Sequence, residues 1–171
     1  MNGGSQRADG WLPALIHLAD CGGQWQLYED VLYRIFSRDF IESHPNYPNR
    51  RWSTKRYPES KGKACTFWHL ISTGDAEAER IPDMRRCERI PWPRVMIDAV
   101  GTRASVRIWQ VTQSRRRRVL LAIDGFSYVV VLEDRGEHIM LWTAYHVEHS
   151  NRRRQLRKQW EAYEQTQNER A

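Results

Sequence analysis

His69 sits inside an apolar run, Phe67-Trp68-His69-Leu70-Ile71, and shortly downstream Arg85, Arg86 and Arg89 crowd the stretch PDMRRCER. These residue types divide two chemical tasks. Histidine titrates near neutrality, so it can take or give a proton. Arginine keeps its proton and presents a planar fork of donors, which confines it to holding or stabilising an anion. Proton carrier and anion clamp together are what phosphoryl chemistry without a metal needs. The same residues also fit a half-buried core histidine beside a solvated basic helix, and the local sequence leaves both readings open.

A second candidate set lies in LWTAYHV near the end of the chain. Strand alternation puts Thr143 and Tyr145 on one face and Trp142, Ala144 and His146 on the other. Two hydroxyls two residues apart can both reach a phosphate lying across a sheet. A β-forming threonine and a packed tyrosine need no such partner, so this pattern is also open. Lys63, Arg153 and Arg154 join Arg85, Arg86 and Arg89 as candidate phosphate- or RNA-binding residues. The runs 115–118 and 152–158 attract phosphate generically and carry no information about base sequence. Cys65 stands four residues before His69, but without a third group to orient the pair it reads as a buried reduced thiol.

No metal motif stands out. His138 and His146 share a strand face, but at about 3.3 Å per residue they lie too far apart to bind one ion. The chain has no phosphate-binding glycine loop, no nucleophile elbow and no acidic cluster suited to two-metal hydrolysis. The expectation is chemistry without metal or cofactor. Three cysteines with no close pair argue against a disulfide framework or zinc knuckle and point to a reduced, cytoplasmic setting. The run WLPALIHL is too short and polar to cross a membrane. A net charge of +6, mostly from arginine, together with eight tryptophans and seven tyrosines, suits a nucleic-acid partner, since rings stack on bases.

The elements that must position these groups fall in two halves. Residues 1–10 read as a flexible tail, 11–165 as a single α+β domain and 166–171 as a frayed end. Trp11, Leu15 and Leu18 suggest a short first helix. QWQLYEDVLYRIFSRDFIE suggests a longer one, with Leu27, Val31 and Ile35 beside Leu32, Phe36 and Phe40 in its apolar stripe. A short strand is possible around 51–57, and one or two helical turns over KACTFWHLIS. Pro82 suits the start of a helix reaching Ile90, where Pro91 and Pro93 end it. That helix would put the three arginines on one face.

The second half turns to β-branched and aromatic runs, SVRIWQVT, RRVLLAID, FSYVVVLE and HIMLWTAYHV, separated by Gln113-Ser114-Arg115, Asp124-Gly125 and Asp134-Arg135-Gly136. The expected fold is N-terminal helices packed on a four-stranded antiparallel β-meander. Its third strand is apolar on both faces and should be covered on both. A C-terminal basic helix capped by Ser150 follows, docked by Leu156, Trp160 and Tyr163 along one edge.

The ordered set LYRIFSRDFI, GKACTFWHLI, PDMRRCERIPWPR and LWTAYHV, followed by a basic helix, resembles the phage- and prophage-associated branch of the barnase–EndoU–colicin tRNase–RelE-like (BECR) nucleases, over about Trp25 to Tyr163. The resemblance implies a metal-independent endoribonuclease of toxin or phage-conflict type. Such an enzyme cleaves tRNA or another structured RNA by 2′-hydroxyl attack, and its expected protein partner is an acidic antitoxin or immunity protein. Carried over by position, it implies His69 as base or acid, Tyr145 or Thr143 as partner proton donor or phosphate ligand, and Arg85, Arg86 and Arg89 as clamps. The group is catalytically diverse. A non-catalytic RNA- or DNA-binding protein, or a phage-derived inhibitor that meets an acidic protein, is the alternative.

Overall fold

The computed structural model describes residues 10–74, 77–103 and 105–171, and its architecture is mixed α+β. The N-terminal tail, apart from Gly10, lies outside the described residues. The long first helix, α1 (Trp25–Phe40), forms where the sequence predicts it. Its buried column is Tyr28, Leu32, Phe36 and Phe40, each four residues from the next and therefore stacked on one side of the helix. At about 1.5–3 kcal/mol per fully buried large side chain, this column anchors α1. Leu27, expected in the stripe, is 50% exposed, because the helix is rotated toward the Tyr28 column. The expected short helix around 11–18 is only a 3-10 turn at Leu18–Cys21.

Two further helices, α2 (Cys65–Ile71) and α3 (Met84–Glu88), flank the hairpin of β2 (Ser72–Thr73) and β3 (Ile81–Pro82). Pro82 lies in β3 rather than in the helix. Asp83 is the true N-cap, accepting from the backbone N–H of Arg85 at 3.0 Å and of Arg86 at 3.2 Å. Pro91 and Pro93 do not end helical structure; they open α4 (Trp92–Asp98), where proline's missing N–H costs nothing in the first turn.

The main sheet is five-stranded and mixed, a correction to the four-stranded antiparallel expectation. Its order is β1 (Arg51–Ser53), β7 (His138–His146), β6 (Tyr128–Asp134), β5 (Arg116–Ile123) and β4 (Val106–Gln113). β4 to β7 pair antiparallel in succession, while β1 joins β7 in parallel, with Arg51 opposite His138 and Ser53 opposite Met140. No turn signal joins β1 to β7, so nothing local announces that pairing. β1 stops early, and α2 and α3 lie against the rest of β7.

One sheet face joins α1, α2 and α4 in the larger core through Val119, Leu121, Val130, Leu132, Leu141 and Ala144. The other face meets α5 (Ser150–Arg170) in a smaller core of Trp109, Leu120, Phe126, Val129 and Leu156, with Trp160 and Tyr163 at its margin. The doubly apolar β6 is therefore covered on both faces, as its composition requires. The helix runs to Arg170, and His149, not Ser150, is the capping position.

Candidate functional site

β7 carries a register shift that sequence alternation misses. Leu132 pairs with Leu141 and Val131 with Thr143, so Trp142 is an extra residue in the ladder. The bulge turns Trp142 toward the α5 face, where it lines the same cleft as Thr143 and Tyr145. The expected sharing of one face by Thr143 and Tyr145 holds; the assignment of Trp142 to the opposite face does not.

His69 lies on α2 against this bulge. Its ring stacks on that of Trp142 with centroids 5.7 Å apart, and the Arg118 guanidinium stands over Trp142 at 4.2 Å. Arg80 Nη2 lies 3.1 Å from His69 Nε2. A guanidinium can only donate, so Nε2 is the acceptor and the ring proton resides on Nδ1. Burial, then the positive charges of Arg80, Lys55 and Arg86, push the His69 pKa down to about 4. At neutral pH His69 is an uncharged ring with one basic nitrogen.

Arg86 ties α3 to this centre. Its Nη1 donates to the carbonyls of His69 and Ser72, each at 3.2 Å, and to Thr143 Oγ1 at 3.3 Å. Thr143 in turn donates to the His69 carbonyl at 3.1 Å, and the Arg86 guanidinium stands 5.8 Å from the Tyr145 ring centroid. The fold thus brings His69, Arg86, Thr143 and Tyr145 together.

It does not bring the other sequence candidates with them. Arg85 turns outward to Glu148 at 3.0 Å, and Arg89, beyond the last turn of α3, contacts Glu88 and the Trp92 ring. The shared arginine face fails because α3 is only five residues long. Lys63 is 12% exposed and bound to the buried carboxylate of Glu29 at 3.1 Å and to Asp30 at 3.4 Å. A buried carboxylate holds its counterion strongly, so the ammonium is engaged on the α1 side. Arg153 Nε donates to the Val147 carbonyl at 2.7 Å, fixing the start of α5, while Arg154 is exposed.

The sequence motifs do not single out Arg80, Arg118 or Trp142. Arg80 shows no signal beyond its charge. Arg118 had one: it and Arg116 alternate onto one face of β5, where both meet Glu133, while Arg117 meets Asp134. Among the described residues, no group of three His, Cys, Asp or Glu gathers as a metal site, and no helix is long and apolar enough to cross a membrane. No family model matches the chain, and neither the curated proteins nor the solved structures contain a match.

Proposed function

We propose that the protein is a metal-independent endoribonuclease whose centre is His69 with Arg80, Arg86, Thr143 and Tyr145. The observation that carries this reading is the convergence of a neutral, single-acceptor histidine with two arginines and two hydroxyls contributed by separate elements. The His69 Nε2 lone pair takes the proton of a ribose 2′-hydroxyl once Arg80 turns from the ring to the phosphate. The 2′-oxygen bonds to phosphorus, the bond from phosphorus to the 5′-oxygen breaks, and the Tyr145 phenol protonates the leaving oxygen. Arginines that cannot deprotonate stabilise the charged phosphorane. Products are a 2′,3′-cyclic phosphate and a 5′-hydroxyl, and the proton on His69 returns to Tyr145 through solvent.

The ordered motifs add support by their resemblance to BECR nucleases. On that reading the target is tRNA or another structured RNA, and an acidic antitoxin or immunity protein is the protein partner. The test is incubation of purified protein with total RNA in EDTA. New fragments with cyclic ends that vanish in His69→Ala support the reading; intact RNA, or cleavage indifferent to that change, defeats it.

A second reading, RNA binding without cleavage, draws on a specific observation. Arg86 and Thr143 already bond to backbone carbonyls, so both also serve the fold. Salt-sensitive RNA binding with no fragments would select it.

A further inference from the structure

Between the sheet and α5 runs a cleft of about 460 Å³, lined by Arg118 of β5, Trp142, Thr143 and Tyr145 of β7, and Arg152 and Gln159 of α5 over an apolar floor. Among the described residues, no acidic side chain lines it. Its polar side chains are cationic, hydroxyl or amide, all able to donate.

Arg118 is the unusual member. The residue is 8% exposed and its side chain 10%, yet Nε has no hydrogen-bond acceptor. Nη1 stands 3.0 Å from Glu133 Oε2 without the geometry of a hydrogen bond. Glu133, itself buried, is shared with Arg116 at 3.3 Å and Arg135 at 2.6 Å. One carboxylate therefore faces three guanidiniums, an excess of positive charge that includes a buried cation with unused donors. Burial of such a group is costly unless an anion completes it.

We propose that the cleft is a phosphodiester subsite for single-stranded RNA, with Arg118 as its buried anchor. This rests on the reading of the protein as one that acts on RNA, and it names the strand form that is read. An A-form duplex presents its phosphates on a broad, rigid outer surface and cannot bring one to a side chain this buried. An extended single strand can thread the cleft, place a phosphate on Arg118 and continue past Thr143 and Tyr145 to the His69 centre. Single-stranded loops of a folded RNA present the same chain.

The experiment is fluorescence anisotropy of the full chain with a short 2′-O-methylated single strand, which cannot be cleaved, and with its blunt duplex, at several salt concentrations. Wild type should prefer the single strand. Arg118→Met should weaken that binding about tenfold or more and lower the salt slope by about one. Because removing Arg118 exposes Glu133 to fewer cations, the double variant Arg118→Met/Glu133→Gln, checked by circular dichroism, should show the same loss while folded. Arg34→Ala, on the exposed side of α1, should leave binding unchanged. Strong single-strand binding that both Arg118 variants retain would overturn the subsite but leave the RNA reading intact. Preference for the duplex would also overturn the subsite. Failure of wild type to bind either form would overturn the subsite and the RNA reading together.

Discussion

Arg80 donates to Nε2 of His69 at 3.1 Å, a contact that fixes the tautomer of the ring and adds to the burial that holds it uncharged. It leaves Nε2 as the proton-accepting atom of a neutral ring, and it links the histidine to the loop between β2 and β3.

If His69 is the base, cleavage should need its unprotonated form, and the acidic limb of the pH–rate profile should lie below the ordinary histidine range. His69→Ala should lower the rate by about 10²–10⁴-fold. An acidic limb of kcat/KM, which reports the free protein, near pH 6.5 or above would contradict this assignment.

Stability should carry the same signature. The folded ring titrates at about 4 and an unfolded histidine near 6.5. Above 6.5 neither state binds the proton. As the pH falls through 6.5 the unfolded chain takes up a proton that the folded ring refuses, so stability declines until the folded ring also protonates near 4. Solvent screening of this half-buried ring holds the loss to about 1–2 kcal/mol. Urea unfolding at pH 7 and pH 4.5 should show a larger drop for wild type than for His69→Gln.

Arg86 is a structural staple as well as a candidate clamp. Its Nη1 serves two carbonyls and one hydroxyl that join α2, β2 and β7. Arg86→Ala should cost about 3 kcal/mol in thermal or chemical unfolding, as charge-assisted bonds are lost and their acceptors stay sheltered. Arg86→Lys should recover only part, because an ammonium cannot reproduce the fork.

Lys63→Met should lower stability by about 3 kcal/mol by leaving buried Glu29 without its cation, yet leave the salt dependence of RNA binding unchanged. Arg152→Gln should do the reverse, with little change in stability and a salt slope lower by about one. A reduced slope in Lys63→Met would place Lys63 in the phosphate-binding set.

Gly74 closes the loop that carries Arg80. Its φ is 118°, and a Cβ there would lie 2.8 Å from the Glu79 carbonyl oxygen. Gly74→Ala should destabilise by more than about 1 kcal/mol and displace Arg80. The perpendicular effect on His69 is readable by NMR: its titration should move toward the ordinary histidine value.

Much of the secondary structure was legible because it is dictated locally. α1 and the four long strands follow from side-chain period, turn residues and β-branched runs, which act within a few residues of themselves. The doubly apolar β6 even announced a covering on both faces. Helix ends were less legible: Asp83 outcompeted Pro82 as the start of α3, and Pro91 opened a helix instead of closing one. Both sequence readings gave proline a stop-or-start role, and neighbouring packing decided which.

Residue types alone nominated His69, Arg86, Thr143 and Tyr145, because few side chains can move a proton or hold a phosphate. Chain order could not say that Arg85 and Arg89 turn away, that Lys63 is spent on Glu29, or that Arg80 and Arg118 belong beside them. Those outcomes depend on contacts between residues far apart in sequence. The parallel pairing of β1 with β7 and the bulge at Trp142 are of the same kind, since each sets the register between strands far apart in sequence or against alternation. Composition and period determined the elements and the chemistry available to them. Tertiary packing, through burial and competition for buried partners, decided which charges remain unspent in the cleft.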